Sequence, residues 1–128
     1  MRIEKVVIEN LNSLAGRFEI DLCDPAYSGG LFAIVGPSGA GKTTVMDAMC
    51  LALYGRTPRI STISETQDEL MNKHEDWCAA EVVFTSHRKR YRSRFEHSRS
   101  ARGSKPFRAV KREVYEQAAD GSWRPVAA

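Results

Sequence analysis

The chain has 128 residues, 42% of them hydrophobic and 27% charged, which fits one soluble globular domain with a core of useful size. No apolar run approaches the length needed to span a bilayer, and charged and apolar residues alternate from Arg2 onward, so a signal peptide and a membrane partner are excluded and the cytoplasm is expected. Three scattered cysteines (Cys23, Cys50, Cys78) and three histidines without ligand spacing exclude a disulfide framework and a zinc site.

The net charge of +3 hides a segregation. Residues 1–86 hold seven Lys/Arg and twelve Asp/Glu, whereas residues 87–112 hold eleven Lys/Arg and one acid. Such asymmetry points to a polyanionic partner.

In chain order, residues 2–9 are rich in β-branched residues and read as a strand. The group Asn10 to Gly16 is turn-forming, and 17–22 alternates Phe18, Ile20 and Leu22 with three charges. That is a half-exposed strand, expected to pair with the first as an antiparallel hairpin. Asp24-Pro25 and Ser28-Gly29-Gly30 break the chain before Leu31 to Val35. This run has no polar alternation, so it is expected at the sheet centre, buried on both faces.

Next comes Gly36-Pro37-Ser38-Gly39-Ala40-Gly41-Lys42-Thr43-Thr44. A Gly, four residues, then Gly-Lys-Thr, after an apolar run and before a helical one, is the strand, loop and helix context of a phosphate-binding loop. Glycines permit a tight turn whose backbone N–H groups point at phosphate oxygens, and the helix start adds its dipole. Lys42 would reach the β- and γ-phosphates, and Thr43 would offer its hydroxyl to Mg²⁺. The bland alternative is a glycine-rich turn between a strand and a helix.

Residues 44–54 are apolar almost all round, so a helix there is expected to be covered on most sides, with Gly55 as its C′ residue and Pro58 stopping it. Asp47, one turn after Thr43, would either support the metal-facing end of the loop or serve as a solvated or capping acid. Ser64 to Met71 opens what reads as a short helix, and residues 77–85 read as a strand.

Arg88, Arg90, Arg92 and Arg94 then recur at every second residue, so in an extended strand all four guanidinium groups leave from one face and Tyr91 and Phe95 anchor the other. An arginine row suits a phosphate backbone, here DNA, while the alternative is a solvated edge strand kept soluble by charge. Another strand is expected at about 107–116, with a turn at Asp120-Gly121.

The order of these elements, with Asn10 to Leu14, the Gly30 to Thr44 block, Leu51 to Tyr54, Thr57-Pro58-Arg59 and Asp68 to Met71, resembles the N-terminal ATPase segment of SbcC-type DNA-repair exonuclease subunits. These belong to the SMC-like branch of the ABC ATPases. The resemblance implies an α/β P-loop head of which residues 1–128 are the N-terminal part: a mixed sheet, a buried helix after the loop and an antiparallel, β-rich basic region. It implies ATP and Mg²⁺ at Gly36 to Thr44, with Asn12 and Ser13 near the phosphates or base. It also implies a second ATPase head, double-stranded DNA ends and an SbcD-like metal-dependent nuclease as partners.

The family's Q-loop glutamine, signature motif, Walker B acids and switch histidine do not occur in the chain, so alone it is expected to hydrolyse ATP poorly. Two alternatives stand beside this one. An SMC-like or RecF-like head would work without a nuclease, and a small-molecule kinase would usually carry its loop after the first strand rather than the third.

Overall fold

The computed structural model describes residues 1–24, 33–37, 41–58, 70–72, 74–99, 107 and 109–126. Its frame is one six-stranded sheet in the order β2-β1-β3-β4-β5-β6. The strands are β1 (Arg2–Leu11), β2 (Leu14–Asp21), β3 (Trp77–Ser86), β4 (Lys89–Ser98), β5 (Lys111–Gln117) and β6 (Trp123–Pro125), and a helix α1 (Lys42–Tyr54) lies against one face.

β1 and β2 form the expected hairpin, with Ile8 opposite Phe18 and Val6 opposite Ile20. The turn is tighter than the sequence indicates: only Asn12 and Ser13 separate the strands, with Asn10 (φ 54) and Asn12 (φ 52) in the left-handed region that short amide side chains tolerate. β3 and β4 are joined the same way through His87 (φ 51) and Arg88 (φ 67).

The expected mixed sheet is corrected: every strand pairing among the described residues is antiparallel. Of the run Leu31 to Val35, expected as the central strand, Leu31 and Phe32 lie outside the described residues. Residues 33–37 form no strand and are exposed, Val35 by 85%. The physical reason lies in the neighbours such a run requires. A strand buried on both faces needs a packed layer on each, and among the described residues α1 lies against one face of the sheet while the other carries ion-paired charged side chains.

The core lies between α1 and one sheet face: Val6, Ile8 and Leu11 of β1, Cys78, Ala80 and Val82 of β3 and Phe95 of β4 pack on Ala48, Leu51 and Ala52. Among the described residues, the buried side chains of the helix face this core. Met46 and Tyr54 are exposed, which corrects the expectation of cover on most sides. Its apolar outer side instead borders an open cleft of about 1390 Å³ whose walls include Ile3, Ile20, Leu22, Ile34, Val45 and Met49.

Gly55 closes the helix as expected, in the left-handed conformation (φ 74), its N–H bonded to the Leu51 carbonyl at 2.9 Å. The helix end is then fixed to the sheet. Ser93 Oγ donates to the Ala52 carbonyl, and Arg112 Nη2 donates to the Leu53 carbonyl at 3.0 Å. A cation there also complements the negative end of the helix dipole.

The sheet's other face is a lattice of charges. On this side Val7, Ala79 and Val83 are buried although they lie outside the core cluster. β5 starts at Lys111, later than expected, and β6 follows the Asp120-Gly121 turn as a strand the sequence did not announce. The helix expected at Ser64 to Met71 falls mostly outside the described residues; of it, Met71 bridges to Leu11.

Candidate functional site

The loop meets the helix at Gly41, the N-cap of α1, whose φ of 99 lies where side chains other than glycine's are strained. A Cβ at this position would stand 3.3 Å from Leu14 Cδ2. Glycine is therefore favoured by the backbone angle, and any Cβ would in addition make the Leu14 side chain give by a few tenths of an ångström. Gly41 has no side chain to cap α1 and none among the described residues does so, so the first N–H groups of the helix are not taken up by a described cap. Ser38, Gly39 and Ala40 lie outside the described residues.

Lys42 is half-buried, and its Nζ donates back to the Gly36 carbonyl, laying the ammonium along the loop from its last residues to its first. Gly36, Pro37 and Thr43 are exposed. Thr44, next in line, is buried and turned the other way, into the protein. Adjacent threonines thus differ: Thr43 is exposed, and the hydroxyl of Thr44 is taken up internally.

The internal partner is Asn12. Its Nδ2 donates to Thr44 Oγ1 and to Asp47 Oδ2, both at 3.2 Å. Asp47 is only 2% exposed, which corrects the solvated or capping alternative. A carboxylate taken so far from water requires donors, and Asn12 supplies one. Ser13 is exposed at the same turn.

A third segment closes the arrangement. The Asn12 N–H donates to the Leu70 carbonyl at 2.6 Å, the Asn72 N–H to the Asn10 carbonyl at 2.8 Å, and Asn72 Nδ2 to the Asn12 carbonyl at 3.1 Å. Sequence reasoning missed Asn72 and Leu14 because their partners are set by tertiary packing, 60 residues apart in the case of Asn72. Nothing local in the sequence marks either.

The arginine row is rearranged relative to expectation. Arg88 sits in the β3-β4 turn, outside the extended strand, so three guanidinium groups and not four share the face. Arg90 Nε lies 2.9 Å from Glu4, Arg92 Nε 3.4 Å from Glu81, and Arg94 3.5 Å from Glu9 and 3.3 Å from Glu96. Arg92 also stacks over Tyr115 at 4.7 Å and Trp123 at 5.0 Å. Segregated in sequence, the charges are interleaved in space, because β3 and β1 bring their glutamates beside β4.

The same interleaving shifts the surface carboxyls. The Arg17 guanidinium, then Lys5, hold the Glu19 carboxyl below its ordinary range. The Tyr115 hydroxyl, then Lys111, do so for Glu113, and Glu116 raises the Lys89 ammonium. Each favours the charged form through a hydrogen bond to it.

No group of three or more His, Cys, Asp or Glu residues suited to a metal occurs among the described residues. None of their helices is long and apolar enough to cross a membrane, which says nothing of a β-barrel.

Residues 5–122 match the family model of the AAA domain. Over 116 residues, 78% of the chain, the sequence is 46% identical to the SbcC subunit of the SbcCD nuclease of Pseudomonas aeruginosa, of which this covers 10%. The SbcC subunit of Rhodobacter capsulatus is 53% identical over 62 residues, 48% of the chain and 5% of that protein. The DNA double-strand break repair Rad50 ATPase of Methanopyrus kandleri is 34% identical over 128 residues, 98% of the chain and 12% of that protein. The resemblance to SbcC-type subunits read from the residues is borne out. The chain spans about a tenth of the length of these relatives.

Proposed function

We propose, from the premise that the chain belongs to the AAA domain family, that residues 1–128 are the N-terminal part of a P-loop ATPase head acting in DNA double-strand-break repair. The observation that carries this is the junction at Gly41 and Lys42: a glycine in the left-handed region packed close to Leu14, a helix start with no side-chain cap among the described residues, and an ammonium that donates to the Gly36 carbonyl.

These residues fit ATP and Mg²⁺. Backbone N–H groups at the start of α1 would bind phosphate oxygens, and Lys42 would exchange the Gly36 carbonyl for the β- and γ-phosphates. Thr43, exposed beside it, would hold Mg²⁺ through its hydroxyl, and the ion would neutralise charge developing on the γ-phosphate. The chain's own contribution is thus binding and orientation. Placing the attacking water would fall to acids contributed from elsewhere in the head, so this stretch alone would hydrolyse ATP poorly.

The cleft beside α1 supports the reading of an incomplete head. Its apolar walls, with Ile34 and Met46 about half exposed, are the kind of surface a soluble protein covers with another element. We assign that cover to the remainder of the head. The engaged state would pair two heads, in the cytoplasm, with an SbcD-like metal-dependent nuclease and duplex DNA ends as partners, and the exposed Ser13 would lie near the nucleotide.

For the arginine row, DNA phosphates would have to compete with Glu4, Glu9, Glu81 and Glu96 for the guanidinium groups. Arg88, which has no ion pair among the described residues, would be engaged first. This predicts DNA binding that is modest and steeply salt-dependent.

The test is reconstitution of the full-length protein with a metal-dependent nuclease partner on linear duplex DNA. ATP-dependent end degradation that Lys42→Ala abolishes is the expected result. ATP and DNA binding with no nuclease association would replace this reading with a RecF-like or SMC-like head.

A further inference from the structure

Both amide hydrogens of Asn12 are directed at α1, one to the Thr44 hydroxyl and one to the buried Asp47 carboxylate. The backbone of the same residue is fixed on both sides, its N–H to Leu70 and its carbonyl to the Asn72 side chain. Its φ of 52 lies in the left-handed region, which the short amide side chain of asparagine tolerates. With the amide reversed, its oxygen would face the carboxylate, so the orientation is dictated by charge.

Thr44 and Asp47 share the buried face of α1 with Ala48 and Leu51, while Thr43 and Met46 on the same helix are exposed. Whatever holds Thr44 and Asp47 sets the rotation of the first turn of α1, and with it the directions of Lys42 and Thr43. Apolar contacts at Ala48 and Leu51 are non-directional and fix rotation poorly; a two-pronged hydrogen bond fixes it well.

We infer that Asn12 is a positioning residue for the nucleotide site: it grips Thr44 and Asp47 to set the first turn of α1 and is not itself a ligand of phosphate or base. Asn72 completes the grip from the opposite side by holding the Asn12 backbone. This rests on the reading of Gly36 to Thr44 as an ATP site, and it removes Asn12 from the ligands that the SbcC resemblance implies.

A donor and acceptor exchange tests it in the full-length protein. Asn12→Asp sets two carboxylates against each other, and Asp47→Asn sets two amides together. Each should weaken ATP binding by about tenfold or more. In the double variant Asn12→Asp with Asp47→Asn the pair is restored with its polarity reversed, since the new amide donates to the new carboxylate and Thr44 Oγ1 turns to donate. Recovery of ATP affinity to within a few-fold of the parent, with matching recovery of amide-exchange protection in the first turn of α1, is expected.

A phosphate ligand behaves differently, because a carboxylate at position 12 repels phosphate whatever stands at 47. Protection restored while ATP affinity stays at the level of Asn12→Asp would therefore overturn the inference, as would a double variant no better protected than either single. A parent protein that binds no ATP, with the exchange pattern as expected, would sink the reading of the loop and leave the grip on α1 standing.

Discussion

Gly41→Ala isolates how the hairpin and the loop depend on each other. The substitution keeps the apolar character of the site and adds one methyl group. At φ 99 the backbone cost for a residue with a Cβ is about 1–2 kcal/mol. The added Cβ would also press on Leu14 Cδ2 at 3.3 Å and Cδ1 at 3.4 Å, so Leu14 must move by a few tenths of an ångström. Reduced freedom of the unfolded chain offsets about 0.4–1 kcal/mol.

Gly16→Ala and Gly121→Ala serve as controls, for both glycines have positive φ (92 and 87) and nothing within 4 Å of an added Cβ. They carry the backbone cost without the contact. Urea unfolding of the full-length protein, read by the midpoint at constant slope, should place Gly41→Ala about 1 kcal/mol below the two controls. In a double-mutant cycle, Leu14→Ala should cost less in the Gly41→Ala background than in the parent, because the truncation also relieves the contact. ATP affinity should fall only for Gly41→Ala. Equal losses at positions 16, 41 and 121 would refute the account of Gly41 as a site of close approach.

Three further outcomes follow from the packing and charges. Leu51→Ala removes a fully buried side chain between α1 and the sheet and should cost about 2–5 kcal/mol in urea unfolding, with a cost under about 1 kcal/mol contradicting the placement of the core. Arg90, Arg92 and Arg94 changed together to Gln should lower the slope of log affinity for duplex DNA against log salt by about 0.9 for each phosphate no longer neutralised, and an unchanged slope would leave the row as a structural charge lattice. For pH, the folded-state carboxyls of Glu19 and Glu113 are shifted down, so their stabilisation is present above the unfolded range near pH 4 and is lost as pH falls through their folded values. A urea midpoint flat from about pH 5 to 9 and falling below about pH 4 is expected; a midpoint that rises on acidification would contradict the ion pairing of the sheet face.

The hairpin, α1, β3 and β4 are legible in the sequence because each carries a local signal. Asn10 to Gly16 signals a turn, Gly55 and Pro58 a helix end, and residues 79–84 a strand. What stays hidden depends on partners remote in the chain. The run ending at Val35 has the composition of a central strand, yet burial on both faces depends on layers packed on either side, and its described residues, 33–35, are exposed. Asp47 is one turn from Thr43 and invites a metal-side role, but Asn12, brought in by the hairpin, binds its carboxylate in the interior. The arginine periodicity of β4 holds from Arg90 to Arg94 and fails at Arg88, which lies in the left-handed turn. Its neutralisation by Glu4, Glu9 and Glu81 depends on strand order, which no local pattern specifies.

The claim that the Gly36 to Thr44 loop holds ATP is tested most directly by titrating ATP, with and without Mg²⁺, into the full-length protein and its Lys42→Ala variant. The Lys42 ammonium bonds within the loop, to the Gly36 carbonyl, so the variant should unfold at the parent's midpoint while its affinity for ATP with Mg²⁺ falls by about 10- to 100-fold, the loss of a charge-assisted hydrogen bond to phosphate. Equal affinities for parent and variant, or affinity indifferent to Mg²⁺, would contradict it.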